Sequence, residues 1–457
     1  MKALFVGDNR YGPNWGGRGA SIALYQLIEQ EFEVSAVVPG TLFPLGGHGL
    51  GYVNTLTPPR YAWLLHHMLS GRKKRRLFDW YVRTEELLGA RDFIRPDPPE
   101  SVEHILRYKD RYPVLQQIYT QAADADVVVV NGEGDMVFTT PPRREALFLL
   151  AMAELGFRLK KRVFFVNAML SDCPVTGRNH HTVAAARRVL SQCDTVTLRD
   201  FESLEYAKET MPEIEPSFVP DSLFAWFSFY QHGCAPPPNG DFVIPFPEEH
   251  RYLRKLDFSR PYICVGGGGL AAASPQDAVR SYTRLVQRIR GLGLPVYLTK
   301  NCGRDAFLDE VAERTGVGVV PATTSILMAG AILANARVFI SGRYHPSILA
   351  SLGGTPCIFL ATTAHKMGSL PRLLGYPDTS AFSACPSDAE IDDIVARAQW
   401  SVASAEPLRH RIRSAAATRC DEARQLPILL RRTIDARFRS KRSADHITSA
   451  QLPVRAP

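Results

Sequence analysis
The chain has 457 residues, 45% of them hydrophobic and 22% charged, with a formal net charge of +8. These are ordinary globular values, which exclude a disordered or collagen-like chain and leave room for two or three domains with real cores. The charge is too modest to imply a nucleic-acid partner.

Residues 1–20 meet Asp8 and Arg10 too early for a signal peptide. The longest apolar stretch, Leu147 to Phe157, is interrupted by Glu154 and is too short to cross a bilayer. A cytoplasmic enzyme is expected. Basic runs at Arg72 to Arg76 and Arg437 to Arg442 allow at most a peripheral contact with the inner face of a membrane. The eight cysteines are scattered, without a C-x-x-C, so reduced and mostly buried thiols are expected.

Short apolar runs alternate with helical patterns along the chain. Leu4 to Val6, Val34 to Val38, Val127 to Val130, Val163 to Val166 and Thr195 to Leu198 read as strands of one parallel sheet. The pattern lapses between Trp226 and Pro261, around Ala235-Pro-Pro-Pro238 and Asn239-Gly240. It resumes with Tyr262 to Val265, Val296 to Thr299, Val317 to Val320, Val338 to Ile340 and Cys357 to Leu360. The expected architecture is α/β, with two Rossmann-like domains facing a central cleft. The first spans residues 1–225. Residues 226–260 form a linker or inserted loop. Residues 261–436 form the second, with a terminal helix, and 437–457 is expected to be a disordered basic tail.

Asp124-Ala-Asp126 precedes a strand rather than following one, so it reads as a helix-to-strand connection and not as the D-x-D of a metal-dependent sugar transferase. His66-His67 and His180-His181 lack ligand partners at metal spacing, and no metal site is expected. Gly266 to Gly269 follow a strand, but the next strand ends in Thr299-Lys300-Asn301, where a nicotinamide site would want an acid. These glycines let backbone N–H groups approach an anion, or only make a tight turn. Neither a P-loop nor a G-x-S-x-G elbow occurs. No cofactor is expected.

Ser341-Gly-Arg-Tyr-His-Pro-Ser347 then follows a strand and opens a helix, the place where an α/β protein presents groups to its ligand crevice. Arg343 suits a carboxylate or phosphate, and His345 moves protons near neutral pH. The plainer alternative pairs Arg343 with a local acid and leaves His345 to cap the helix.

Several segments together carry a resemblance: Gly7-Asp8-Asn9 with Gly16-Gly17; Asn131-Gly-Glu-Gly134; Arg199-Asp200 with Ser203; Val219-Pro220-Asp221; Arg343-Tyr-His345; and His365-Lys366. In this order, over about residues 1–375, the chain resembles the polysaccharide pyruvyl transferase family. Two turns depart from the family pattern, at Asn14 to Ala20 and at Asn131 to Gly134, both on the acceptor half. The resemblance implies a GT-B-like fold, with residues 1–225 on the acceptor side, residues 261–436 on the donor side and the terminal helix packed back on the first domain. It also implies transfer of a pyruvyl group from phosphoenolpyruvate to sugar hydroxyls as a ketal, on a glycan or lipid-linked glycan.

That donor needs two cationic grips, a proton donor and a base. Arg199 and Arg343 are expected to hold its carboxylate and phosphate, and His365 and Lys366 to neutralise the leaving phosphate. Gly267, Gly268 and Lys300 line the donor side. His345 is the acid/base, and Glu133 either serves the acceptor hydroxyl as base or caps the following helix. Asp8, Asn9 and Asn131 face the acceptor. The alternatives are a GT-B glycosyltransferase using a nucleotide-activated sugar, such as a CMP-linked acidic one, and a binding protein that has lost the reaction. Activity is expected to survive EDTA; loss on chelation, restored by Mg²⁺ or Mn²⁺, would show a metal site overlooked in the sequence.

Overall fold
The computed structural model describes residues 1–40, 93–230 and 256–436. The basic runs, His66-His67, most of the 226–260 segment and the 437–457 tail lie outside these.

The first sheet has six parallel strands in the order β2-β1-β3-β5-β7-β8. They are β1 (Lys2–Asp8), β2 (Glu33–Pro39), β3 (Val127–Asn131), β5 (Arg162–Ala168), β7 (Thr195–Leu198) and β8 (Ser217–Phe218). A two-stranded pair, β4 (Val137–Phe138) and β6 (Ser171–Asp172), adjoins it. The second sheet, also parallel, has the order β11-β10-β9-β12-β13. Its strands are β9 (Ile263–Gly268), β10 (Val296–Thr299), β11 (Gly318–Val320), β12 (Val338–Gly342) and β13 (Cys357–Phe359). Separate sheets with helices between their strands make this an α/β protein of two Rossmann-like domains.

The near-continuous apolar runs of β1 and β3 follow from burial on both faces. Leu4, Val6, Val128 and Val130 pack with Leu147 and Leu150 of a helix over Arg144–Arg158. Ala3, Phe5, Val127 and Val129 turn the other way, onto Leu24 and Leu27 of α1 (Trp15–Ile28). β8 went unread because two half-buried residues carry too little pattern.

Two features fasten the domains. The first half of α1 contributes Trp15, Ala20 and Ala23, and the segment after β8 contributes Leu223 and Phe224, to a core built mainly by the second domain, with Phe339, Ile348 and Leu349. Trp15 Nε1 also donates to the Ala322 carbonyl at 2.8 Å. At the far end, the helix Ala405–Ala423 packs in the second domain through Ala416 and Ala423. The helix 426–436 then sets Leu426, Leu430 and Ile434 against the first sheet. The chain thus returns to the domain where it began.

Leu430 is fully buried in that returning helix. Leu430→Ala is expected to cost about 2–5 kcal/mol, measured by urea unfolding; an unchanged midpoint would mean that the return contributes no stability.

Candidate functional site
All strands of each sheet run parallel, so their carboxyl ends gather on one edge, and the two edges bring their loops together. Arg199 leaves β7 and is fully buried. Its Nη1 donates to Asp221 Oδ2 at 2.8 Å, and Asp221 follows β8 with no exposed surface. From the second domain, His345, in the first turn of the helix Tyr344–Leu352, brings Nε2 within 3.1 Å of the same oxygen. The Arg199 guanidinium lies under the Tyr344 ring, 4.6 Å from its centroid.

The tautomer follows from this arrangement. Arg199 Nη1, 3.4 Å from His345 Nε2, already donates to Asp221. Nε2 accordingly carries its proton towards Asp221, which leaves Nδ1 for chemistry. Nδ1 faces Glu133 Oε1 at 3.9 Å. Burial pushes the Asp221 carboxyl up, but His345 and Arg199 outweigh it and hold it at about 2, against an ordinary 3.8.

Glu133 has a positive φ of 36°, an uncommon conformation for a residue with a side chain. Its backbone carbonyl accepts from Met169 N at 3.0 Å, and its Oε2 accepts from Asn9 Nδ2 at 3.0 Å. Gly16, in the first turn of α1, closes the other side of the imidazole. A Cβ there would stand 2.5 Å from His345 Nδ1, so only glycine allows this approach.

Three cations converge beside Glu133. Arg143 Nη1 donates to the Gly134 carbonyl at 3.0 Å, and its Nη2 donates to Asp135 Oδ1 at 2.7 Å. A Cβ on Gly134 would lie 2.5 Å from Lys366 Nζ and 3.3 Å from Arg199 Nη2. Burial, together with Arg199 and Arg143, lowers the Lys366 ammonium from 10.5 to about 8. Each arginine has a carboxylate partner, whereas Lys366 has none among the described residues. Arg199 Nε is likewise buried without a partner among them. Such a corner has the charge to hold an anion. Nearby, His365 Nε2 meets the buried Asp200 at 2.9 Å, making a second bridge between the domains.

The structure therefore gathers Arg199, His345, Glu133, Asn9 and Lys366, with His365 at the margin. Other expected residues are engaged elsewhere. Arg343 forms an ion pair with the fully buried Asp305, an acid distant in sequence rather than a local one, and His345 turns to Asp221 instead of capping its helix. Gly267 makes room for the same Asp305 carboxylate, and Gly268 lies in β9 against Gly342 of β12. Lys300 pairs with Asp309 at 2.6 Å. Asp8 accepts from Ser21 Oγ and from Arg10, and Asn131 is buried between the Gly7 carbonyl and Asn167. Asp221, Arg143 and Gly134 were not singled out as site residues from sequence. Asp221 was the most accessible of them, since Val219-Pro220-Asp221 is one of the segments that carry the resemblance. Asp124 ends a helix and Val127 begins β3, so Asp124-Ala-Asp126 is the connection read from its position.

Among the described residues, no helix is long and apolar enough to cross a membrane. The sequence matches the family described as polysaccharide pyruvyl transferase over residues 62–363, more than half of the chain. No curated protein matches it. A putative UDP-N-acetylglucosamine 2-epimerase from Listeria monocytogenes shares the fold at 10% identity, covering 96% of this chain and 97% of its own, with a TM-score of 0.51. This is the GT-B arrangement. The UDP-GlcNAc 2-epimerase of Neisseria meningitidis, bound to UDP-GlcNAc, gives 10% identity, 92% and 98% coverage, and a TM-score of 0.49.

Because Asp221 is shared by two buried partners, removing it strands their charge. Asp221→Ala is expected to cost about 3–5 kcal/mol in urea unfolding. Since its folded pKa is depressed, its contribution is present above about pH 4 and is lost as pH falls towards about 2. A variant with parental stability at neutral pH would refute the shared role.

Proposed function
The chain belongs to the polysaccharide pyruvyl transferase family, and from that premise we propose that it transfers a pyruvyl group from phosphoenolpyruvate to two hydroxyls of a surface-glycan sugar. The observation that carries the reading is the convergence of Lys366, Arg199 and Arg143 on Gly134, adjoining the His345–Glu133 pair. Phosphoenolpyruvate supplies a phosphate and a carboxylate for Lys366 and Arg199 to hold.

In this reading His345 meets the donor with a proton on Nδ1 as well as on Nε2, and gives the Nδ1 proton to the donor's methylene carbon, which becomes a methyl group. Cationic character then develops at C2, and Glu133 takes the proton of the first attacking hydroxyl and returns it to His345 Nδ1, 3.9 Å away, which restores both groups. The second hydroxyl attacks as the C2–O bond to phosphate breaks, and its proton leaves with the phosphate. A diol and phosphoenolpyruvate thus become a ketal and inorganic phosphate, with no electrons gained or lost. Asp221 holds the imidazole in register throughout, and Arg199 holds Asp221.

Thermal shift with phosphoenolpyruvate against UDP and CMP sugars tests the donor. At a hundredfold excess over Kd, the true donor stabilises by about 2.7 kcal/mol. A shift with a nucleotide sugar and none with phosphoenolpyruvate would favour the glycosyltransferase reading. His345→Ala is expected to leave donor affinity within a few-fold while lowering turnover by about 10²–10⁴-fold. Parental turnover in the folded variant would remove His345 from the chemistry.

Lys366 binds an anion only while protonated. Donor affinity is therefore expected to be full well below pH 8 and to weaken as pH rises through about 8. Lys366→Gln should lose about tenfold in affinity, roughly 1.4 kcal/mol, and with it this pH dependence. Calorimetric titration of both proteins across that range checks it; the same slope in both would place the titrating group elsewhere.

A further inference from the structure
If the site works as proposed, the sugar must lie against Glu133, yet the groups expected to receive it are largely occupied. Asp8 is held by Ser21 and Arg10, and Asn131 is buried among backbone and Asn167. Asn9 alone of the three touches the Glu133 carboxylate, through Nδ2 at 3.0 Å.

Asn9 also begins the loop from β1 to α1. The Gly12 N–H donates to the Asn9 carbonyl at 2.9 Å, closing a turn with Arg10 and Tyr11 at its tip. The two tip residues behave differently. Arg10 folds back, its Nε on Asp8 Oδ1 at 3.0 Å and its guanidinium 3.6 Å from the centre of the Tyr25 ring. That anchors the turn. Tyr11 projects instead, with 92% of its surface exposed, more than any other large hydrophobic side chain among the described residues. At its far end the loop leads into Gly16, which presses on His345.

The loop thus begins beside Glu133 and ends beside His345, and along the chain between them stands the exposed phenol ring, 5.9 Å from the Arg10 guanidinium. A pyranose has an apolar face of axial C–H groups that stacks on an aromatic ring, while its hydroxyls remain free for polar contacts. Tyrosine suits this because its ring is rigid and its hydroxyl stays in water. We propose that Tyr11 is the stacking platform of an acceptor subsite for a pyranose, with Asn9 and Glu133 on the hydroxyl side. This assignment rests on the transferase reading above.

The test uses the full chain. Parent, Tyr11→Ala, Tyr11→Phe and Tyr11→Trp are applied to an immobilised array of neutral and acidic pyranosides, and phosphoenolpyruvate affinity is measured for each by calorimetry. The parent is expected to retain at least one class of pyranoside, and Tyr11→Ala to lose at least about tenfold of that binding, roughly 1.4 kcal/mol. The aromatic variants should keep it, and donor affinity should stay within twofold in all four. A parent that binds no pyranoside, or an alanine variant that binds like the parent, overturns the platform. Absence of phosphoenolpyruvate binding in the parent would instead count against the transferase reading, and the array result would stand separately.

Discussion
The Asp221 carboxylate is the constraint around which the site is organised. It is fully buried, and the two groups that compensate its charge come from different domains: Arg199 from the first and His345 from the second. Removing a charge from water is tolerable only with close partners of this kind. One oxygen therefore fixes the position of an arginine, the tautomer of a histidine and the registry of two sheets. The apolar seam formed by Trp15 and Ala20 supplies the adhesion, while Asp221 supplies the specificity.

Charge compensation also distinguishes the scaffold from the parts left for a ligand. Arg143 is matched by Asp135, Arg343 by Asp305 and Lys300 by Asp309. Lys366 stands apart, crowded by Arg199 and Arg143 and lowered in proton affinity for that reason as well as by burial. Perturbed groups of this kind cluster at working sites.

Much of the architecture was legible in sequence, because parallel strands buried on both faces appear as uninterrupted apolar runs, as in Val127 to Val130. His345 was legible for a related reason, since a glycine turn between strand and helix marks the ligand edge of such a sheet. The fate of Arg343 was not. Its partner Asp305 lies 38 positions away, and nothing local announces the pair. Asp8 and Asn131 look like ligand groups at strand ends until Ser21, the Gly7 carbonyl and Asn167 engage them. Strand-end residues could be named from pattern, but which of them remain free depends on contacts made across the sheet.

The central claim is that this seam converts phosphoenolpyruvate into a sugar ketal. Carbon-13 NMR of phosphoenolpyruvate labelled at C2, incubated with the full chain and a mixture of pyranosides, follows the reacting atom itself. The account predicts that the label moves from a vinylic to a ketal carbon, with one phosphate released per ketal formed. A label that stays in phosphoenolpyruvate while a nucleotide sugar in the same mixture is consumed would contradict it.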